Sequence, residues 1–236
     1  MTFALAPMGG LGNRLATILS YRAKYGKLDV VWSHAFQVGG GSWAETFEPL
    51  EGVTFRDSDV VIHHPGGPKV VGGVTYDNHP CCPVINTWYA ELRLVPAAWE
   101  RADPWVFVRR LKRTLRLDAA IHVRRTDFAD LKLPETSDAA FEAFIMASAP
   151  EGSRVYIATD NYTTQRQYWD ACTSMRRTPK VQALIPQHAD LAHDHRATGM
   201  TFAAADMFSC ARADKFMGTR GSSFSSTIEI LRSLRK

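Results

Sequence analysis

Two adjacent arginines in the middle of the chain have the clearest chemical meaning. They stand in the string HVRRTD, residues 122–127, at the end of an apolar run that predicts a strand. A guanidinium binds phosphate through two parallel hydrogen bonds, and neighbouring side chains of a strand point to opposite faces. We therefore expect one arginine to reach a phosphate in a cleft and the other to pair internally, for instance with Asp127. Two structural salt bridges are the alternative.

Two further strings combine glycine with groups that suit an anion. GTRGSSFSS, residues 218–226, places serine hydroxyls where a final helix is predicted to begin, and the free N–H groups of a helix start attract phosphate. GGLGNRL, residues 9–15, predicts a tight turn from strand to helix beside a ligand, although it has neither dinucleotide-loop nor P-loop spacing. A serine N-cap without a ligand and a plain turn are the alternatives.

The apolar pattern predicts the elements that position these strings. Strands at 2–6 and 28–32 flank the first glycine string and a helix, and residues 33–100 are rich in glycine and proline, so only short strands at 59–62 and 69–76 are expected there. Asp103-Pro104 then predicts a helix start, with one face made of Val108, Leu111 and Leu115.

A regular alternation follows from residue 118. The predicted strands are 118–123, 154–159, 181–185 and 214–218, and the predicted helices are 137–148, 161–174, 200–211 and 223–235. Four successive strand–helix units imply a parallel sheet with helices on both faces. Ligands of such sheets bind beyond the carboxyl ends of the strands, which is where the arginines, Asp160-Asn161 and the serine string fall.

Composition limits the class of protein. The 236 residues are 45% hydrophobic with a net charge of +4, which predicts one large domain or two small ones with a sizeable core. The four cysteines form no CxxC pair, so reduced thiols are expected. No run of 18 apolar residues and no signal peptide are present, so we expect a cytoplasmic chain, or a trimmed catalytic domain, without a membrane span. We interpret the basic run from Arg109 to Arg116 as a solvated helix face. Contact with phosphate or an anionic surface is the alternative. We expect no nucleic-acid partner.

Four strings in order carry a resemblance: GGLGNRL, HVRRTDF, VYIATDN and DMFSCARADKFMGTRGSSFSSTIEIL. Together they resemble the α1,2/α1,6/protein-O fucosyltransferase superfamily, whose first motif is HxRRxD. The resemblance covers the N-terminal loop and nearly all of residues 118–236. It implies an α/β, GT-B-like fold of two Rossmann-like halves with a cleft between them. The acceptor-side half would be residues 1–102 and the nucleotide-sugar half residues 103–236.

The resemblance also implies chemistry and site residues. Members are inverting transferases that use GDP-β-L-fucose without a metal, so the expected partners are a nucleotide-sugar donor and a glycan acceptor, with no cofactor. Carried over by position, Arg124 would hold the β-phosphate, Asp206 would read guanine and His122 would line the guanosine side. The other donor-binding candidates are Gly10, Gly12, Asn13, Asp160, Ser222, Ser223, Phe224 and Ser225.

The catalytic base departs from the family pattern. Some relatives have a glutamate downstream of the HxRRxD motif, whereas the tenth position after His122 is Lys132 here. The nearby acids are Asp130 and Glu135. We assign Arg124, Asn13 and Asp130 as the catalytic candidates.

Three other groups are weak metal-site candidates. Asp57-Ser58-Asp59 is a DxD string, but metal-dependent glycosyltransferases place it after an apolar strand and here it precedes one. His188, His193 and His195 fit a solvated loop better than a metal site, and Cys81-Cys82 lacks a second pair. We therefore expect no metal ion.

The sequence thus predicts an inverting, metal-independent glycosyltransferase, with GDP-fucose as the first choice of donor. Another nucleotide sugar within the same superfamily is an alternative. A catalytically inactive nucleotide- or glycan-binding protein is a second alternative, since the base is not where relatives have it. A sulfate- or phosphate-transferring enzyme is a third, and the lack of a P-loop argues against it.

Overall fold

The chain folds into two α/β halves, each built around a mostly parallel sheet. The structure, a computed structural model, describes residues 2–33, 41–58, 67–102, 107–108, 113–114, 116–125, 136–181 and 199–235. The arrangement confirms the α/β, GT-B-like architecture of two Rossmann-like halves that the sequence predicts.

The first sheet comes from the N-terminal hundred residues. Its strands are β1 (Phe3–Pro7), β2 (Leu28–Ser33), β3 (Val53–Ser58), β4 (Lys69–Val71) and β5 (Val74–Asp77). They lie in the order β3-β2-β1-β5-β4, and only β4 runs antiparallel to its neighbour. Gly72 and Gly73 turn β4 back against β5 with φ values of 55° and 79°, a conformation that favours glycine at both central positions of a tight hairpin.

Helices connect and cover this sheet. They are α1 (Leu11–Tyr25), the short α2 (Trp43–Thr46), a 3₁₀ helix (Asn86–Glu91) and α3 (Pro96–Ala102). Ser42 and Glu45 form a capping box at the start of α2, with the Ser42 side chain accepting from the Glu45 N–H. Pro96 occupies the first position of α3, where its missing N–H costs no helical hydrogen bond.

The second sheet is fully parallel among its described strands. It contains β8 (Ala119–Val123), β9 (Arg154–Thr159), β10 (Thr178–Lys180) and β11 (Lys215–Gly218), in the order β10-β9-β8-β11. Its helices are α4 (Asp138–Ser148), α5 (Tyr162–Ser174), α6 (Met200–Arg212) and α7 (Ser223–Ser233). The chain moves outward from β8 to β10 and then crosses back to β11, so the strand order reverses beside β8, which is where open α/β sheets bind ligands.

One hydrophobic core joins the two halves. Leu15 and Ile18 of α1 belong to the same buried cluster as Met207 of α6 and Ile228 of α7. A second cluster lies between the second sheet and its outer helices α4 and α5, and includes Phe141. Because α1 packs against α7, the ends of these two helices are held next to each other.

The region between the two sheets departs from the sequence prediction. Short strands β6 (Phe107–Val108) and β7 (Arg113–Thr114) pair antiparallel, so the helix predicted after Asp103-Pro104 is wrong at these four residues. Phe107 and Val108 are aromatic and β-branched, which favours a strand over a helix. The predicted helix start Asp103-Pro104 lies outside the described residues.

Smaller differences concern the glycine-rich and edge segments. The helix α2, the strand β3 and the first five residues of α3 lie in the region 33–100, which is predicted to be mainly loop. The predicted strand at 59–62 lies outside the described residues. The strand predicted at 181–185 begins earlier, at Thr178. Its Pro179 is tolerated because β10 is an edge strand of the sheet.

Candidate functional site

A cleft opens where the start of α1 faces the carboxyl ends of β8 and β9 and the start of α7. The residues that line it come from both halves: Gly10, Leu11, Gly12, His122, Arg124, Thr159, Asp160, Ala203, Asp206, Ser223 and Phe224. This list contains most of the predicted site residues. The carboxyl-end rule therefore located the cleft from the sequence pattern alone.

Two helix N-termini meet at this cleft. A Cβ atom on Gly12 would lie 2.8 Å from the Ser223 carbonyl oxygen and 2.9 Å from the Phe224 nitrogen, so the start of α1 touches the backbone of α7. Gly9 precedes α1 with φ of 81°, which a side chain rarely adopts. The glycine string thus makes the predicted tight turn, and it also lets the two halves approach closely.

A buried arginine supports the turn from behind. Arg14 is 0% exposed; its Nε donates to the Gly9 carbonyl at 2.9 Å and its Nη1 to the Ser33 carbonyl at 2.8 Å. Its guanidinium also lies 5.1 Å from the centre of the Trp32 ring. Arg14 was not predicted to be buried, although its position next to Leu15 on the apolar side of the predicted helix was a usable signal.

The two adjacent arginines lie in different surroundings, as predicted from their alternation along the strand. Arg124 lines the cleft. Arg125 turns to the opposite side, where it pairs with Asp138 and donates to the Thr136 carbonyl at 3.1 Å and the Tyr168 hydroxyl at 3.4 Å. The internal partner is therefore Asp138, while the suggested partner Asp127 lies outside the described residues.

Thr219 fixes the backbone at the end of β8, directly before and at Arg124. Its hydroxyl accepts from the Arg124 N–H at 2.9 Å and donates to the His122 carbonyl at 3.1 Å, and its own N–H donates to the same carbonyl at 3.0 Å. Thr219 is 1% exposed. A buried threonine in three hydrogen bonds holds the backbone of β8 and the loop after β11 in one arrangement.

His122 is held in the wall of the cleft as a neutral ring. Its Nδ1 lies 2.7 Å from the Ser225 hydroxyl, and its ring stacks on Phe224 with centres 4.6 Å apart. Burial, with the nearby Arg124 charge as a smaller cause, lowers the pKa of His122 to about 3. The ring therefore stays uncharged near neutral pH and offers a flat, apolar surface together with one ring nitrogen.

Asp206 is a buried carboxylate in the cleft. It is 5% exposed, lies on α6, and accepts a hydrogen bond from the Tyr156 hydroxyl at 2.7 Å on Oδ1. Asp206 is therefore not an exposed carboxylate on the helix surface. Tyr156, itself fully buried on β9, was not predicted from the sequence; its inward position in the run RVYIAT was the available signal.

The serine string starts α7 as predicted, but its side chains do different things. The Ser222 side chain is the N-cap and accepts from the Ser225 N–H, and Ser225 faces His122. Both are almost fully buried, whereas Ser223 and Phe224 line the cleft. The hydroxyls of Ser222 and Ser225 are therefore engaged in the wall rather than directed at the open space.

The remaining predicted residues are distributed as follows. Asp160 lines the cleft directly after β9. Asn13 is half-buried on the first turn of α1, where its amide lies against Gly9, and it is not among the lining residues. Asp130 and Glu135 lie outside the described residues. Leu11, Thr159 and Ala203 line the cleft but were not predicted, although Thr159 is the last residue of a predicted strand.

The described residues contain neither a metal-binding cluster nor a membrane-spanning helix. In the described ranges, no group of three or more His, Cys, Asp or Glu could hold a metal ion. Asp57 is exposed near the end of β3, and Asp59 and the three histidines 188, 193 and 195 lie outside those ranges. No helix in the described part of the chain is long and apolar enough to cross a membrane.

Comparison of the whole chain with known proteins agrees with the architecture. No protein-family model and no curated protein matches the sequence. Among solved structures, fucosyltransferase NodZ from Bradyrhizobium is 17% identical with a TM-score of 0.56, over 98% of this chain and 92% of that one. POFUT1 in complex with GDP-fucose is 12% identical with a TM-score of 0.59, over 98% and 94%. The chain shares the fold of these fucosyltransferases.

A third solved structure is NodZ α-1,6-fucosyltransferase co-crystallized with GDP, 16% identical with a TM-score of 0.57, over 98% of this chain and 91% of that chain. At identities of 12–17% the likeness concerns the fold. The chemistry has to be argued from the side chains in the cleft.

Proposed function

We propose that this chain is a glycosyltransferase that moves a sugar, L-fucose in our first hypothesis, from a GDP-sugar to a hydroxyl group of a glycan. The observation that carries the proposal is one cleft that combines Arg124, two helix starts and the buried carboxylate of Asp206. These are the groups that a diphosphate and a guanine require. Solved structures of the same fold include complexes with GDP and GDP-fucose.

The diphosphate would lie between Arg124 and the start of α7. Arg124 supplies a guanidinium that matches two phosphate oxygens. The first N–H groups of α7, and those of α1 across the Gly12 contact, have no helical acceptor and form an anion site. These donors are fixed before the ligand arrives, because Thr219 and the Ser222 cap hold the backbone.

Asp206 would recognise the guanine. A carboxylate accepts from both N1–H and N2–H₂ of guanine, whereas adenine offers no such pair of donors. Tyr156 holds one oxygen of Asp206 in place, which orients the carboxylate in a buried site. The stacked pair of His122 and Phe224 adds an apolar surface beside it. Asp160 follows the second strand of its sheet, a position where dinucleotide-binding sheets hold a ribose hydroxyl.

In the proposed reaction the acceptor hydroxyl oxygen attacks C1 of the donor sugar from the face opposite the diphosphate. The bond between C1 and the β-phosphate oxygen breaks, and GDP leaves with the electron pair, so the configuration at C1 inverts. The hydroxyl proton passes to a base, for which Asp130 remains our candidate. Arg124 and the helix starts stabilise the charge that develops on the leaving oxygen, an effect worth about 2.7–4 kcal/mol per donor in oxyanion sites.

A nucleotide panel tests the nucleoside assignment. We expect GDP to raise the thermal midpoint and UDP, CMP, ADP and PAP to raise it much less, because only guanine pairs with Asp206 through two donors. Preferential stabilisation by PAP would instead favour a sulfotransferase, and equal stabilisation by all five nucleotides would contradict guanine recognition.

A second measurement tests the transfer. GDP-fucose is incubated with a panel of glycan acceptors, and released GDP is measured with and without EDTA. We expect acceptor-dependent GDP release that persists in EDTA. Tight GDP binding with an intact donor beside every acceptor would favour the inactive binding protein. One observation favours that alternative. Asp160 and Asp206 are the two carboxylates in the described lining of the cleft, and our proposal uses both of them for the nucleoside.

A further inference from the structure

A second cavity lies at the opposite end of α6 and α7 from the cleft. Its floor is apolar and nearly fully buried, and consists of Tyr89, Leu92, Ala211 and Leu231. Phe208 and Leu234 complete the apolar wall. The helix α7 has 11 residues, so at 1.5 Å per residue its two ends, and the two sites, are about 15 Å apart.

Three arginines line this cavity, which we call the arginine cavity: Arg93, Arg212 and Arg235. Arg93 and Arg235 are exposed at the rim, and Arg212 is half-buried. In the described part of the chain, no carboxylate pairs with any of the three. The neighbouring acids Glu91 and Asp214 pair instead with Arg22 and Arg116.

Arg212 is the decisive side chain. Its guanidinium lies 4.2 Å from the centre of the Trp99 ring, and it has no hydrogen-bond partner among the residues that the structure describes. The described residues therefore use none of its five N–H donors, which is costly for a half-buried, charged group unless a ligand or water accepts from them. Burial, together with the neighbouring Arg235 charge, lowers the pKa of Arg212.

Helix capping explains only part of this cluster. The helices α6 and α7 both end here, and positive side chains are favourable beside helix C-termini. Arg235 follows that pattern, since its Nη1 donates to the Ala211 carbonyl at 2.7 Å. Arg93 likewise donates to the backbone carbonyls of Ala90 and Leu92. Arg212 lies in the last turn of α6 but donates to none of the carbonyls in the described ranges, so hydrogen-bonded capping does not account for the direction of its side chain.

We propose that the arginine cavity binds a small anionic amphiphile. Its carboxylate, sulfate or phosphate-ester head would lie against Arg212 and the rim arginines, and its aliphatic or aromatic body would cover the apolar floor. The charge of the cavity selects the head, because a guanidinium binds such oxyanions through paired hydrogen bonds. The buried floor selects the body, because covering apolar surface is favourable in proportion to its area.

Calorimetric titration with decyl sulfate, and with decanol as the neutral probe of the same chain length, tests the proposal. We expect decyl sulfate to bind and decanol to bind at least about tenfold more weakly, since one charged hydrogen bond is worth a factor of about ten or more. Saturating GDP should leave the decyl sulfate affinity unchanged. The preference for decyl sulfate over decanol can be measured whether or not the cleft functions as proposed.

Two variants and a matched control complete the experiment. Arg212→Met keeps most of the side-chain volume over Trp99 and should weaken decyl sulfate about tenfold or more with little change for decanol. Arg93→Met at the exposed rim should weaken it less, and serves if Arg212→Met fails to fold by thermal melting. Arg166→Met removes one exposed arginine from α5 and should change neither affinity.

Other outcomes would overturn the proposal. Equal binding of decyl sulfate and decanol, or full affinity in both Arg212→Met and Arg93→Met, would show that the arginines select no head group. Competition by GDP would assign the probe to the cleft. Co-sedimentation with phosphatidylglycerol vesicles that is lost in Arg93→Met would assign the arginines to a membrane surface instead of a small-molecule site.

Discussion

The two halves of the chain contribute different kinds of groups to the cleft: mainly backbone from the first half and ionisable side chains from the second. The first half lines it with the start of α1, where Gly10, Leu11 and Gly12 present backbone and one apolar side chain. The second half supplies every ionisable side chain in the described lining: His122, Arg124, Asp160 and Asp206. Substitutions in the second half should therefore change which ligand binds and reacts, whereas substitutions in the first should change how closely the halves pack.

The largest effect is expected for Arg124→Ala. If the proposed function is right, the variant loses the charged donor at the leaving group, and turnover should fall by about 10²-fold or more. Folding should change less than turnover, because Arg124 lines the cleft and does not belong to the hydrophobic core. The measurements are GDP release from GDP-fucose with acceptor and the thermal midpoint.

Arg125→Ala provides the matched control for that substitution. It removes the partner of Asp138 and Tyr168 behind the sheet, so it should lower the thermal midpoint. A stable Arg125→Ala protein with a large loss of turnover would mean that the two arginines have exchanged roles.

The second expected effect concerns nucleotide choice. Asp206→Asn keeps the size of the buried side chain but replaces one acceptor oxygen by a donor, which opposes the two guanine N–H groups. Two charged hydrogen bonds at about 1.5–3 kcal/mol each predict a loss of GDP affinity of about 10²-fold or more. ADP affinity should change little, because adenine does not make those bonds.

Tyr156→Phe separates the binding of guanine by Asp206 from the positioning of Asp206 by Tyr156. The variant keeps the Asp206 carboxylate but removes the hydroxyl that lies 2.7 Å from it. Calorimetry should show a smaller loss of GDP affinity than in Asp206→Asn, again with little change for ADP. Equal small losses for both nucleotides in Asp206→Asn would show that guanine selectivity, if present, has another source.

The contrast between the halves also appears in what the sequence could predict. In the second half, apolar runs alternate with amphipathic helices, and strand ends carry polar strings, so the elements, Arg124 and Asp160 could be placed in advance. Asp206 lies on α6, and it was expected in the site only from the family resemblance. Strand ends of a parallel sheet meet at one edge, which turns a one-dimensional pattern into a three-dimensional site.

The first half and the connecting region were harder, for physical reasons. Helix α3 and strand β3 lie in a glycine- and proline-rich stretch, and in α2 the whole signal is a four-residue capping box. At 107–108 the structure has a strand where an N-cap signal predicted a helix. Arg14 and Tyr156 act through tertiary contacts, and a single-residue pattern does not report which carbonyl or carboxylate a buried side chain will meet.

The third prediction compares two glycines of the same loop. Gly12→Ala should destabilise the fold by about 1–3 kcal/mol, because the added methyl would overlap backbone atoms of Ser223 and Phe224, which do not move like a side chain. Gly10→Ala should cost less, at most about 1 kcal/mol from the poorer N-cap, since its φ is −70° and no atom lies within 4 Å of the added methyl. Denaturant unfolding measures both values. Equal stability of the two variants would contradict the close approach of the helix starts.

The smallest expected effect concerns pH and the neutral ring of His122. The pKa of this histidine is about 3 in the folded chain and about 6.5 when unfolded. Below pH 6.5, His122 is therefore protonated in the unfolded chain but stays neutral in the folded chain. Its contribution to stability is fully present above pH 6.5 and is lost as the pH falls from 6.5 towards 3.

Between pH 7 and pH 5 the loss from this one group should reach at most about 2 kcal/mol, since each pH unit below the unfolded pKa costs about 1.36 kcal/mol. Other histidines and acids titrate in the same range, so the test is a difference. The free energy of unfolding is measured at both pH values for the wild-type protein and for His122→Asn. The wild-type protein should lose more than the variant on acidification. Parallel losses in the two proteins would show that His122 accepts a proton in the folded state, and the stacked, buried ring in the wall of the cleft would then carry a charge close to Arg124.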